Sequence, residues 1–94
     1  MAYRTQMRII GQILETAQEN QQDGNGASVT YLIRKANVPH QRLRGLLGTL
    51  VSQGLLERSE YAGAQRYKIS MSGREFLRAY YSFAGFAESF GLSI

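Results

Sequence analysis

Apolar residues recur along the first third of the chain with the period of a helix. Met7, Ile10, Ile13, Leu14 and Ala17 follow one another at three- and four-residue steps, which predicts a helix over 5–19. The stretch NQQDGNGAS breaks this pattern with glycines and turn formers and is expected to be a loop. Ser28 or Thr30 can then accept a backbone N–H bond and cap a second helix over 31–36, burying Leu32, Ile33 and Ala36. Asn37 tolerates the left-handed conformation that ends a helix. Pro39 suits the first turn of the next helix, where its missing N–H costs nothing. In that helix Leu43, Leu46, Leu47 and Leu50 form the i, i+3, i+4, i+7 core stripe, and Gly54 stops it. Beyond it, LLERSE and QRYKIS flank YAGA and predict a β-hairpin. Ser70 is expected to cap a last helix over 71–90.

The order is helix, loop, helix, turn, helix, hairpin, helix. The second and third helices are separated by about three residues, the helix-turn-helix spacing. A hairpin directly after the third helix adds a wing, and a short strand at 27–29 would complete a three-stranded sheet. The expected class is mainly α (α+β). It is a winged helix-turn-helix with a two- to three-stranded wing sheet and a C-terminal, aromatic-rich dimerisation helix. Residues 1–70 would form the winged domain, and residues 71–94 a helix packed on it.

Composition narrows the possibilities. With 44% apolar and 19% charged residues, a chain of 94 residues reads as one ordered domain with a small core. Cysteine is absent, which excludes disulfides and thiolate metal sites. No apolar run is long enough to span a bilayer and no secretory leader is visible, so a cytoplasmic location is expected.

Charge matters more by position than by its total of +4. The cations Arg34, Lys35, Arg42, Arg44, Arg58, Arg66 and Lys68 face only Glu57 and Glu60 within 31–68, whereas both flanks are near neutral. Such a concentrated basic segment attracts polyanions.

Catalysis and metal binding find little support. His40 is the only histidine and has no serine or carboxylate close to it in sequence, so neither a triad nor a metal cluster is in view. DGNG imitates part of a calcium loop, but the register puts Gln21 and Leu32 where acidic ligands are needed. No cofactor and no small-molecule ligand are expected, and the protein should not be an enzyme.

In a helix-turn-helix the second helix of the pair lies in the major groove and reads bases near its N-terminal end. Here that helix offers His40, Gln41, Arg42, Arg44 and, further along, Thr49. Arginine can bond guanine and glutamine can bond adenine through two hydrogen bonds each. With the leucines inward, Gln41, Gly45, Gly48 and Ser52 form the outward line, flanked by Arg44 on one side and by Arg42 and Thr49 on the other. On the hairpin, Arg66 and Lys68 alternate with Tyr67 and Ile69, so these two cations share one face. With Arg58 they suit phosphate contact, as do Arg34 and Lys35 at the end of the second helix.

The last helix is unusually apolar. Phe76, Phe83 and Phe90 repeat every seven residues with Tyr80 and Ala87 between them, the pattern of a seam against a partner helix. These five residues are the expected interface of a homodimer.

The stretch TYLIRKANVPHQRLRGLLGTLVSQGLLE, followed by YKISMSGREFL, resembles the small archaeal winged-helix DNA-binding proteins. That group includes predicted transcriptional regulators and chromatin-associated proteins. The resemblance runs from the first helix to the last. The chain departs from it in having Pro39 where a capping serine is usual and in having Gly48, and the family's last helix is often longer and more charged. The resemblance implies a nucleoid-associated protein whose partner is double-stranded DNA. An alternative is a winged helix that serves as a protein-interaction subunit of a larger assembly. RNA binding is a weaker third reading.

Overall fold

A computed structural model describes residues 5–19 and 26–94. The loop expected at NQQDGNGAS, including Asp23 and Asn25, lies largely outside the described residues. The order is α1 (Gln6–Glu19), β1 (Ala27–Ser28), α2 (Val29–Ala36), α3 (His40–Ser52), β2 (Leu56–Tyr61), β3 (Ala64–Ile69) and α4 (Met71–Glu88).

Short-range hydrogen bonds set most of these boundaries. Thr5 caps α1 by accepting from the Arg8 N–H at 3.1 Å. Ser28, rather than Thr30, caps α2 by accepting from Tyr31 N–H at 3.2 Å, so this helix starts two residues earlier than expected. Asn37 is left-handed (φ 54°) and donates to the Ile33 carbonyl, ending α2. Pro39 is the N-cap of α3 rather than a residue of its first turn. Gly54 (φ 79°) closes α3, with its N–H bonded to Val51 O and the Leu55 N–H bonded to Leu50 O. These paired bonds satisfy carbonyls that the helix end would leave open. The same pair recurs at Gly91, where Gly91 N–H reaches Glu88 O and Leu92 N–H reaches Ala87 O.

The sheet order is β1-β3-β2, antiparallel throughout, with Ala27 opposite Tyr67 and Leu56 opposite Ile69. The expected third strand is therefore present, and β3 is central rather than an edge. Leu56, Tyr67 and Ile69 bury one sheet face together with Leu32, Ile13, Leu43 and Leu47 from the helices.

Two expectations about the core are corrected. Met7 is exposed, and Ile9 takes the buried position instead. Helix α1 packs against α2, α4 and β3, so its buried surface is broader than a single stripe and takes in Gly11 and Thr16. Thr16 satisfies its hydroxyl on Gln12 O at 2.7 Å.

Ser70 links three elements. Its hydroxyl accepts from Gly73 N–H at 2.9 Å to cap α4 and donates to Gly54 O at 2.6 Å, while its N–H reaches Leu55 O. The first turn of α4 thus rests on the exit of α3. Gly73 is required there, because a Cβ would lie 2.1 Å from the Leu55 carbonyl oxygen.

Candidate functional site

Helix α3 turns its four leucines inward and leaves His40, Gln41, Arg42, Arg44 and Thr49 exposed. No carboxylate lies on this helix. At Gly45 and Gly48 a Cβ would meet nothing within 4 Å, so packing inside the chain does not require glycine at either position. Arg34 and Lys35 are exposed at the C-terminal end of α2, where they complement the helix dipole, and Lys35 Nζ lies 5.7 Å from the centre of the Tyr31 ring.

The wing divides its cations between two faces. Residues opposite one another in an antiparallel pair share a face, so Arg58, paired with Tyr67, belongs to the face that carries Leu56 and Ile69. Arg66 pairs with Ser59 and Lys68 with Glu57, on the reverse face. Arg66 and Lys68 therefore share one face, as their alternation with Tyr67 and Ile69 predicts, whereas Arg58 stands on the other. Arg66 is also engaged within the chain. Its Nη1 donates to Gly26 O at 3.4 Å, its guanidinium lies 5.6 Å from the centre of the Tyr61 ring, and its Nε is buried without a hydrogen-bond partner among the described residues. Lys68 is half-buried, and its stem lies close to Gly26.

Arg58 instead faces α3. The two sides enclose an open cleft of about 400 Å3, lined by His40, Arg44, Arg58 and Gln65. Val29, Leu47 and Tyr67 supply its apolar walls. Arg58 lies over the Tyr67 ring at 5.8 Å, and the Tyr67 hydroxyl donates to Gln65 Oε1 at 3.3 Å. Arg42 and Thr49 occupy the other flank of α3 and do not line the cleft. Gln65 was not among the residues expected from sequence. The alternation 65, 67, 69 signals its face, but an uncharged residue next to a turn carries no other mark.

The aromatic residues of α4 also separate. Phe76 and Tyr80 pack against the core. The Tyr80 ring covers Gly11, where a Cβ would come within 2.8 Å of it. Ala87 is buried, and the backbone beyond Gly91 turns back onto its carbonyl. Ala87 is therefore not part of the exposed apolar surface, contrary to its place in the expected seam. Phe83 and Phe90 remain exposed and are joined by Phe86, which packs edge-on against Phe90 with ring centres 5.1 Å apart. Phe86 lies off the seven-residue repeat and was missed for that reason. The Tyr81 hydroxyl donates to Glu15 and helps hold α4 on α1.

Among the described residues no group of His, Asp and Glu side chains is placed to hold a metal ion, and no helix is long and apolar enough to cross a membrane.

A helical pair joined by a three-residue turn, followed by a two-stranded wing on a three-stranded sheet, defines a winged helix-turn-helix domain. The winged helix-turn-helix family model matches residues 3–88, and the chain belongs to this family. Among solved structures it is similar to Sso10a-2, a DNA-binding protein from Sulfolobus solfataricus. The TM-score is 0.80 at 21% identity, over 93% of this chain and 85% of that one. A comparison with curated protein sequences found no match.

Proposed function

We propose that the protein binds double-stranded DNA, inserting α3 into the major groove and setting the inner face of the wing beside it. The carrying observation is the exposed face of α3. It presents His40, Gln41, Arg42, Arg44 and Thr49 without a carboxylate, next to Arg58 of the wing. The similarity to a DNA-binding protein of the same fold supports this reading. Arg34 and Lys35 serve as phosphate contacts at the margin. Arg66 and Lys68 contribute to the field of the reverse face rather than to the groove. The protein acts by binding and not by catalysis, as a transcriptional regulator or a chromatin-architectural protein.

We further propose a homodimer formed through the distal part of α4. Phe83, Phe86 and Phe90 are 57%, 62% and 68% exposed, and Leu92 lies beside them in sequence at 62%. Soluble monomers rarely leave so contiguous an apolar surface uncovered. The same surface would serve the alternative of a subunit docking a different chain. Sedimentation of the isolated protein separates the two, since a concentration-dependent dimer identifies a second copy as the occupant.

Selection of bound duplexes from a random pool, with affinity measured across salt, tests the DNA reading. Affinity should fall steeply with salt, because each neutralised phosphate releases counterions. A sequence consensus identifies a regulator, and tight binding without one an architectural protein. A wild-type chain with no DNA affinity at low salt would overturn the reading.

A further inference from the structure

We propose that the cleft between α3 and the wing is a clamp for one phosphodiester of the DNA backbone, held by Arg44, Arg58, His40 and Gln65. This inference rests on the reading of the protein as a duplex-DNA binder and assigns a particular site within it.

The polar side chains of the lining are rich in hydrogen-bond donors. The two guanidinium groups carry only N–H donors, and the imidazole carries at least one. Gln65 Oε1 is already taken by the Tyr67 hydroxyl, so its amide N–H groups remain for a ligand, and the side-chain acceptors left in the lining are uncharged ones, the second nitrogen of a neutral His40 imidazole and the Tyr67 hydroxyl oxygen. Among the described residues no carboxylate lines the cleft. The nearest by register is Glu60, which stands opposite Gln65 on the same face but outside the cleft, next to the turn. Two guanidinium groups with no carboxylate beside them, gathered in a concavity with apolar walls, focus a positive potential and select an oxyanion. Arg58 is oriented in advance by the Tyr67 ring beneath it. At about 400 Å3 the cleft exceeds a lone phosphate and accepts a phosphodiester with its neighbouring sugars against Val29, Leu47 and Tyr67. A free phosphate would leave those walls untouched, so the backbone of a duplex is the better match.

Arg58→Gln and Gln65→Glu test this. Both positions are exposed, and glutamate keeps an acceptor for the Tyr67 hydroxyl, so both variants should melt as wild type does. Gln65→Glu should weaken DNA binding about tenfold or more for all sequences alike. Arg58→Gln should lower the log–log salt slope by about 0.9, the value for one lost phosphate contact. A single neutral methylphosphonate, walked along each strand of the site, should weaken wild-type binding at one step per bound copy and leave Gln65→Glu unaffected at that step. If wild type binds DNA while both variants keep its affinity, slope and methylphosphonate profile, the clamp is wrong and the α3 reading stands. If wild type does not bind DNA at all, the parent reading fails first. Inorganic phosphate, titrated alone and followed by NMR, should not saturate the cleft. Saturation below about 1 mM would replace the DNA backbone by a small phosphate as the occupant.

Discussion

Ala62 and Gly63 form the two-residue turn of the wing, with φ of 53° and 79°. Positive φ at both central positions is the type I′ geometry, which favours Asn-Gly, while alanine in this region is strained by its Cβ. Ala62→Asn should therefore stabilise the fold by about 0.5–1 kcal/mol, seen as a melting temperature about 2–8 °C higher. Gly73→Ala acts in the opposite direction. Its methyl group would meet the Leu55 carbonyl at 2.1 Å, and a backbone atom cannot step aside as a flexible side chain can. The cost should be about 1–3 kcal/mol or more, measured by denaturant unfolding. The strained turn at residue 62 was not apparent from YAGA, because a run of small residues is compatible with several turn types. The need for glycine at 73 was equally hidden, since it arises from the connection between α3 and β2, eighteen residues earlier in the chain.

At the scale of an element, α3 carries two features that pull apart stability and binding. Gly45 and Gly48 each lower its stability by about 1 kcal/mol relative to alanine. Neither is needed by the surrounding packing. Changing both to alanine should raise the melting temperature of the isolated protein. Under the proposed docking the added methyl groups stand on the line closest to DNA, so affinity should drop in the same variant. Unchanged or tighter DNA binding would place that line away from the duplex. Arg42 and Arg44 lie on opposite flanks, one outside and one lining the cleft. Their joint replacement by alanine should remove a base contact at Arg42, weakening DNA binding by about 1–3 kcal/mol, and the phosphate contact proposed for Arg44, lowering the log–log salt slope by about 0.9, while the fold survives. A folded double variant that binds as wild type would show that α3 is not the reading helix.

For the whole molecule, the informative comparison lies within α4. Phe83 is exposed, whereas Phe76 packs against the core. Phe83→Glu should place a charge in the partner interface and yield a folded monomer, checked by sedimentation and circular dichroism. Phe76→Glu should instead destabilise the fold, because it sets a carboxylate against the apolar core that the half-buried Phe76 covers. A wild-type protein that sediments as a monomer at high micromolar concentration would remove the homodimer, and an unfolded Phe83→Glu would place that residue in the core.

The sequence by itself determined the elements and their order. Apolar periods, the caps at Ser28 and Ser70, and the stops at Asn37 and Gly54 act over a few residues and can be read locally. The four-leucine stripe of α3 was legible for the same reason, and with it the exposed face proposed to bind DNA. Only the tertiary structure decided which side chains share a surface. The register of β2 on β3 placed Arg58 with Tyr67 and sent Arg66 and Lys68 to the reverse face. The packing of α4 on α1, between residues more than sixty positions apart, covered Tyr80, and Ala87 is buried as well, leaving Phe83, Phe86 and Phe90 in the open. A seven-residue repeat records that a helix has an apolar side, but which part of that side the chain itself covers depends on contacts distant in sequence, and these leave no periodic trace.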